Sequence, residues 1–502
     1  MNVITQFLKW IVLVLSCVVL LNACAVGPDY KRPKVVVPAK FKETPKGWKV
    51  AQPKDRFNHG KWWLIFNDPT LNKLENKLNH CNQNIKVALN QYKQARALVD
   101  EARAAFFPTL TGSATVTRQR QVSSVSGSSF ATSTATTSSG TTGVTTVSKG
   151  ATLLTSHSLL FDAMWEPDIW GSVRRSVEAS VAFAQSDIAL LESAALSAQA
   201  TLAQTYFELR GVDVIQKLLN DTVANYKKIL QLTKNQYASG TVPLANVVQA
   251  QSQLEAAQAA AINVGIARGQ YEHAIAVLVG EPASMFAIAT KLNKAKPPVI
   301  PMEFPCELLE RRPDIASAER LMAQANAQIG VAIAAYYPTL TLTGTASTAF
   351  SGLERWFSIP MLNWAIGPQL AETIIDGGLR NATTAAARAN YYATVGTYRQ
   401  TVLAAFQDVE DNLVSIRLLK DEAVVEDKAV ASARLATKLV LNQYKSGVVP
   451  YSSVVTVLTT QLAAEQNAAN INYLRMTSAV GLIKALGGGW GAYGIDSTTK
   501  YR

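Results

Sequence analysis

Two nine-residue stretches decide the fold of this chain: Asn235-Gln-Tyr-Ala-Ser-Gly-Thr-Val-Pro243 and Asn442-Gln-Tyr-Lys-Ser-Gly-Val-Val-Pro450. They match at an offset of 207 residues. A second pair, Ala105-Phe-Phe-Pro-Thr-Leu-Thr111 and Ala335-Tyr-Tyr-Pro-Thr-Leu-Thr341, matches at an offset of 230. Self-similarity on this scale indicates a duplicated structural unit. We therefore predict two tandem copies, at 71–280 and 314–485, with 23 extra residues in the Ser/Thr/Gly-rich tract around 122–150 of the first copy.

Long helices are predicted to form most of each copy. Residues 172–239 and 379–446 contain no proline and one glycine each, so each would form a 68-residue helix that is ~100 Å long. The motif Ser-Gly-x-Val-Pro ends each helix, because glycine fits the left-handed terminal conformation and proline prevents continuation. Shorter return helices are predicted at about 244–278 and 451–480, where apolar residues recur at helical spacing. Each copy thus contains an antiparallel helical hairpin whose tip is the Ser-Gly-x-Val-Pro turn.

A β-hairpin is predicted ahead of each long helix, where the hydrophobic period changes to two. Apolar or small residues alternate with Thr and Ser over 110–117 and 340–347, and second strands return over 159–165 and 362–366. Such alternation over ~10 residues is typical of transmembrane β-barrel strands, although a soluble amphipathic hairpin has the same period. Four strands cannot close a barrel, since ~8 is the practical minimum and open edges are not tolerated in lipid. The predicted fold class is mainly α with a membrane β-barrel portion: an internally duplicated, trimeric 12-stranded β-barrel continued by a long α-helical barrel.

The N-terminus has the pattern of a lipoprotein signal peptide over residues 1–23. Lys9 precedes an apolar stretch too short to span a bilayer, and Leu21-Asn-Ala-Cys24 is similar to a lipobox. Cys24 is therefore the predicted lipidation site, and an ordinary signal peptide with an incidental cysteine is the alternative. Cys81 and Cys306 remain in an oxidising compartment, where two free buried thiols are favoured and a disulfide between them stays open.

Composition and charge exclude several classes of function. The chain has 502 residues, of which 48% are hydrophobic and 17% charged, so it is neither disordered nor a polytopic helical membrane protein. The formal charge is +12, but no run of Lys and Arg exceeds two residues, which argues against nucleic-acid binding. The four histidines lie in separate elements without metal-ligand spacing, and no phosphate-binding loop opens a helix. We expect no enzymatic activity, no cofactor and no bound metal.

Several short motifs, taken in their order and spacing, resemble the outer-membrane factor (TolC-like) family, in the lipoprotein branch of RND-type efflux channels. The matching residues are Cys24-Ala-Val-Gly-Pro-Asp-Tyr-Lys-Arg-Pro33, Trp62-Trp63, Asp68-Pro69, Trp165-Glu166 before Gly171, Leu308-Leu-Glu-Arg-Arg-Pro-Asp-Ile315 with Ala318-Glu319, Ala405-Phe-Gln-Asp-Val-Glu410, and Ala485-Leu-Gly-Gly-Gly-Trp490. The resemblance implies a homotrimer with an equatorial domain formed by segments 24–70, 281–313 and 486–502.

The resemblance also implies a passive duct in the outer membrane, anchored in outer-membrane lipid and extending into the periplasm. Its partners would be a periplasmic adaptor (membrane fusion) protein and an inner-membrane pump. A periplasmic coiled-coil lipoprotein that acts as a spacer or adaptor without a membrane barrel is the alternative reading.

The resemblance places the Ser-Gly-x-Val-Pro turns at the periplasmic tips, which meet the adaptor. The docking candidates are Tyr237, Gly240, Val242, Pro243, Tyr444, Gly447, Val449 and Pro450. Turn formation alone would also explain their glycines and prolines.

The closure of the tip is predicted to depart from the family pattern. Some members place a ring of aspartates just after this turn, whereas this chain has Ser453 and Thr456 there, and Asn246 and Gln249 in the first copy. The candidate aperture residues are Val448, Ser453 and Thr456. An acidic cluster is formed by Asp408, Glu410 and Asp411, of which Asp408 and Asp411 share one helix face. These two would line the lumen, or else form a solvated or salt-bridged face.

Overall fold

A computed structural model describes residues 25–38, 40–43, 61–122, 151–292, 297–298, 300, 311–350 and 362–488. The predicted signal peptide, Cys24 and Cys306 lie outside these residues. The chain divides into two compact units. The first comprises Met1–Pro28, Asp100–Val177 and Gln328–Ala386, and the second comprises Asp29–Val99, Glu178–Ala327 and Ala387–Arg502.

The repeated helices of the two copies have matching bounds, whereas the strands differ in length. The helices are α1 Pro69–Cys81, α2 Gln83–Ala104, α3 Ser172–Ala238, α4 Leu244–Leu278, α5 Pro313–Ala334, α6 Leu379–Lys445 and α7 Tyr451–Ala485. The strands are β1 Thr109–Val122, β2 Ala151–Trp165, β3 Thr339–Phe350 and β4 Leu362–Ala371. Helices α3 and α6 have 67 residues each, and α4 and α7 have 35 each. Both offsets seen in the sequence, 230 before the hairpin and 207 after it, therefore hold at the level of single residues.

Two helices, α1 and α2, precede the first hairpin, and they are separated at Asn82. Asn82 has an extended backbone, and its side-chain oxygen accepts a hydrogen bond from the Ile85 amide at 3.1 Å. Its side-chain nitrogen donates to the Leu278 carbonyl at 2.8 Å. Asn82 thus ends α1 and caps α2, which is a role that asparagine performs well because its short side chain competes with the helical backbone.

The first unit contains one antiparallel sheet in the order β1-β2-β3-β4. Its register aligns the apolar positions of all four strands: Leu110 pairs with Ala163, Ala163 with Gly344, and Gly344 with Ile366. Because side chains alternate between faces, these positions form one apolar face, and the small polar positions such as Thr111 form the other. Large side chains on the apolar face are exposed, including Leu110, Trp364 and Ile366.

The first residues after position 24 are fixed to the first unit by backbone and arginine contacts. The Val26 amide donates to the Trp170 carbonyl at 3.1 Å, and the Arg175 guanidinium donates to the Val26 and Gly27 carbonyls. Gly27 has a φ of 99°, and a Cβ atom there would lie 2.5 Å from the Gly330 Cα atom. Only glycine permits this close approach and this backbone conformation.

The second unit is built around a hydrophobic core that joins α1, α3, α4 and α7. Its fully buried members include Trp63, Leu71, Phe207 and Val480. Asp68 caps α1 by accepting the Thr70 amide at 2.9 Å and also accepts the Tyr206 hydroxyl at 2.7 Å. No helix in the described ranges has a segment long and apolar enough to cross a bilayer.

Candidate docking tips and channel elements

The two Ser-Gly-x-Val-Pro turns have the same hydrogen-bond geometry. The Gly240 amide donates to the Tyr237 carbonyl at 2.9 Å, and the Thr241 amide donates to the Gln236 carbonyl at 3.0 Å. The equivalent bonds in the second copy are Gly447 to Tyr444 at 3.0 Å and Val448 to Gln443 at 2.9 Å. This pair of bonds defines a Schellman motif, which requires a left-handed residue, and both glycines have a φ of 74°.

The exposure of the predicted docking residues differs between the two copies. Tyr237 is 46% exposed, whereas Tyr444 is 2% exposed. Tyr444 cannot present its side chain to a partner in this arrangement, so its assignment as a docking residue is corrected to a core residue. The turn residues Gly240, Pro243, Gly447 and Pro450 are exposed, and Val242 and Val449 are half-buried.

Tyr444 is buried because the second-copy hairpin packs on the first-copy hairpin. Its ring lies 5.8 Å from the Tyr451 ring, and its hydroxyl is 3.0 Å from the Thr233 hydroxyl on α3. The surrounding core is formed by Tyr226, Ile229, Leu230, Ala250, Leu254, Ala257, Val454 and Leu458. Burial raises the pKa of Tyr451 to about 12, so its hydroxyl is neutral at physiological pH.

The candidate aperture residues lie at and just beyond the second-copy turn. Val448 is 72% exposed, Thr456 is exposed and Ser453 is half-buried. The Thr456 hydroxyl donates to the Ser452 carbonyl at 3.0 Å, within its own helix. Of the three, Val448 therefore offers the largest accessible apolar surface.

The three carboxylates of the predicted acidic cluster each have a different hydrogen-bond partner. Asp408 accepts two hydrogen bonds from the Arg312 guanidinium, both at 3.1 Å. Glu410 accepts the amides of Lys42 and Glu43 at 2.7 and 2.9 Å, and thereby fixes the N-terminal segment on α6. The exposed Asp411 carboxylate accepts a 3.3 Å hydrogen bond from the Gln407 side chain, within its own helix. The structure thus favours the salt-bridged alternative for Asp408.

Sequence reasoning missed Thr233 and Arg312 as partners of Tyr444 and Asp408. Thr233 is 211 residues from Tyr444, and Arg312 is 96 residues from Asp408. No local periodicity or motif connects residues at these separations. Within the described ranges, no three His, Cys, Asp or Glu side chains are grouped so that they could hold a metal ion. Cys81 is a partly exposed free thiol.

A family model described as outer membrane efflux protein matches residues 75–281 and 305–488, which is well over half of the chain. The chain belongs to this family. OpmQ, a pyoverdine export outer membrane protein of Pseudomonas aeruginosa, is 28% identical over 484 residues, covering 95% of this chain and 96% of OpmQ. TtgC, a probable efflux pump outer membrane protein of Pseudomonas putida, is 26% identical over 483 residues, 94% of each chain. The open-state structure of the Neisseria gonorrhoeae MtrE outer membrane channel has a TM-score of 0.77 at 26% identity, and covers 93% of this chain and 99% of MtrE.

Membership of the outer membrane efflux protein family confirms three predictions from the sequence. They are the resemblance itself, the fold class, and the role as the outer-membrane channel of a tripartite efflux system. The chain is an outer-membrane protein that extends into the periplasm.

Proposed function

We propose that three copies of this chain form a passive, non-enzymatic duct. An inner-membrane pump supplies the energy, and a periplasmic adaptor joins the pump to the duct. The observation that carries the proposal is the four-stranded sheet with one apolar face. A sheet of this kind suits lipid on one side and water on the other.

The need for further copies of the chain follows from the edges of the sheet. In the described chain β1 and β4 each have one paired and one unpaired side. Unpaired backbone groups are not tolerated in the bilayer core, so each edge must pair with another chain. Three chains give twelve strands, which is above the ~8 needed for a closed barrel.

Lipid attachment at Cys24 is part of the proposal. Its support is the backbone of Val26 and Gly27, which is held by hydrogen bonds. These are the second and third residues after Cys24. The backbone that follows Cys24 is thus held on the first unit from Val26 onward. Stable anchoring needs two lipid signals, and here the barrel would add to the acyl chains.

Adaptor docking is proposed at the exposed turn residues Tyr237, Gly240, Pro243, Gly447 and Pro450, with Val242 and Val449 beside them. Val448, Ser453 and Thr456 are proposed to surround the aperture. No carboxylate occurs at the aperture positions, so closure would depend on packing and on hydroxyl hydrogen bonds and not on cation binding.

Purification in detergent tests the proposal. The expected particle has about three times the mass of one chain by light scattering and gives ion conductance after insertion into a planar bilayer. A monomer that stays in water without detergent after removal of the lipid would contradict the duct and favour the periplasmic spacer. An export assay separates a duct from a pore that has no adaptor and pump. The chain is expressed in cells that lack its gene. A duct restores export there, whereas a pore without these partners does not.

A further inference from the structure

The charge of the two helical hairpins reverses along their length. We define the basic tip as residues 222–262 and 428–469, which carry seven Lys or Arg against two Glu. The remaining hairpin residues of the second unit, at 178–221, 263–281, 387–427 and 470–488, carry nine Lys or Arg against fifteen Asp or Glu. A net positive end therefore follows a net negative body, although the family fold requires no such separation.

The basic side chains of the tip occupy equivalent faces in the two copies. Lys227 and Lys234 are seven residues apart on α3, and Lys438 and Lys445 are seven residues apart on α6. Residues at this spacing lie on one face of a helix. Lys227 is equivalent to Arg434 by the offset of 207, so the two faces correspond.

Most of these charges have no ion-pair partner among the described residues. The six lysines of the basic tip are exposed, and the structure gives none of them an ion pair with another described residue: Lys227, Lys228, Lys234, Lys428, Lys438 and Lys445. The two acidic residues do not neutralise them. Glu465 is paired with Arg434 at 2.7 Å, and Glu255 accepts a hydrogen bond from Gln251.

The basic tip also presents apolar surface beside the charges. Leu435 is 58% exposed, Leu439 is 54% exposed, and Val448 is 72% exposed at the turn. An apolar centre with a charged rim is the usual composition of a protein interface. The Leu435 and Leu439 side chains lie one helical turn apart, between the levels of Lys428 and Lys445 on α6.

We propose that the basic tip is the docking surface for an acidic end of the periplasmic adaptor; this inference rests on the proposed function and specifies the chemistry of the partner. Like charges concentrated at one end of a molecule repel one another, and the Debye length of ~8 Å at physiological ionic strength does not screen neighbours on adjacent helix turns. A partner with carboxylates at matching positions removes this repulsion and accelerates encounter. The acidic body of the same hairpins repels such a partner, so the partner is directed to the tip.

Photocrosslinking on the full-length chain tests the inference. Benzoylphenylalanine replaces Tyr237, an exposed aromatic residue among the proposed docking residues, and cell envelopes of the source organism are irradiated in 50 and 500 mM NaCl. We expect an adduct with a periplasmic protein whose crosslinked peptide has a net negative charge. We expect its yield to fall at least about tenfold at the higher salt concentration, because the Debye length shortens from ~14 Å to ~4 Å.

Two sets of variants separate charge from folding. The combined change Lys227→Gln, Lys234→Gln, Lys438→Gln and Lys445→Gln is expected to lower the adduct yield about tenfold, and the four Lys→Arg changes are expected to retain it. The matched control neutralises four exposed lysines outside the tip: Lys73, Lys86, Lys93 and Lys420. It is expected to leave the yield within twofold of the unchanged chain.

The outcomes distinguish this inference from the proposed function. An adduct whose yield ignores both salt and the four glutamine changes, or whose peptide is neutral or basic, overturns the acidic partner and leaves the duct intact. An adduct only with another copy of this chain also overturns it. The absence of any adduct at Tyr237 overturns adaptor docking at the tip together with the inference.

Discussion

The tyrosine of the repeated turn motif is buried in the second copy and exposed in the first. Tyr444 is enclosed by the tip core and bonded to Thr233, whereas Tyr237 is half-exposed on its own hairpin. The same residue type in the same motif therefore stabilises the fold in one copy and is free to meet a partner in the other.

We expect Tyr444→Ala to destabilise the tip by about 3 kcal/mol, because truncating a buried aromatic ring leaves a cavity. Tyr237→Ala, the matched control, should change stability by less than about 0.5 kcal/mol. Hydrogen exchange of the amides near the two turns, on α6 and α7 for Tyr444→Ala and on α3 and α4 for Tyr237→Ala, measures the two effects. Equal effects of the two changes would show that Tyr237 is also buried in the assembled protein.

The turn glycines contribute to stability through their backbone conformation and not through side-chain contacts. A Cβ atom at Gly447 would meet nothing within 4 Å, so substitution there is strained only by the positive φ. Gly447→Ala should cost about 1 kcal/mol, and Gly447→Asn less, because asparagine tolerates the left-handed region. Thermal unfolding of the detergent-solubilised protein gives the order. If Gly447→Asn abolishes export while preserving stability, the glycine has a docking role beyond the turn.

Glu75 is a buried carboxylate in α1 whose two oxygens have no hydrogen-bond partner in the described chain. Burial raises its pKa well above the ordinary value of 4.5. A carboxyl group with a raised pKa in the folded state favours folding most below its unfolded pKa, and this contribution is lost as the pH rises through the folded pKa.

Glu75→Leu should therefore stabilise the protein at pH 7 by about 1–3 kcal/mol, and the gain should shrink as the pH falls toward about 4.5. Urea unfolding at several pH values measures the difference. Exposed Glu101 on α2 supplies the control Glu101→Leu, for which no such pH-dependent gain is expected. A gain that is independent of pH would indicate a packing effect without any contribution from charge.

At the scale of elements, the register of the sheet decides which residues contact which solvent. Ala114 pairs with Leu159 on the apolar face, and its neighbour Thr115 pairs with Ser158 on the polar face. The alternation predicted from the sequence thus gives the sheet one apolar and one polar face, because the register aligns the alternating positions of all four strands.

Ala114→Lys and Thr115→Lys form a matched pair on adjacent residues. A lysine on a lipid-facing position costs ~2–4 kcal/mol near the bilayer midplane, so Ala114→Lys should reduce assembly. Thr115→Lys should leave assembly intact and shift ion selectivity toward anions. Heat-dependent mobility on gels reports assembly, and reversal potentials in planar bilayers report selectivity. The opposite pattern would mean that the two faces are exchanged.

At the scale of the whole molecule, the sheet edges determine the assembly. Within one chain β1 and β4 are separated by two strands, or roughly 14 Å at ~4.8 Å per strand, which is too far for a disulfide.

A cysteine at Ser113 on β1, combined in turn with a cysteine at each position of 362–370 on β4, should therefore crosslink only between chains. We expect oxidation to give covalent trimers for the positions in register, in a background with Cys81 and Cys306 replaced by Ser. Dimers alone, or no crosslinks at any position, would contradict a ring of three.

Local sequence patterns were sufficient to predict the duplication, the equal helices, the turn glycines and the strand alternation. These features depend on residues within about one element, where propensity, periodicity and Gly or Pro act locally. The tertiary structure alone decided that Tyr444 is core, that Asp408 pairs with Arg312, and that Asn82 ends α1 by bonding to the carbonyl of Leu278. The physical reason is that each depends on contacts between residues 96 to 211 positions apart, which are set by the packing of whole elements and leave no trace in local spacing.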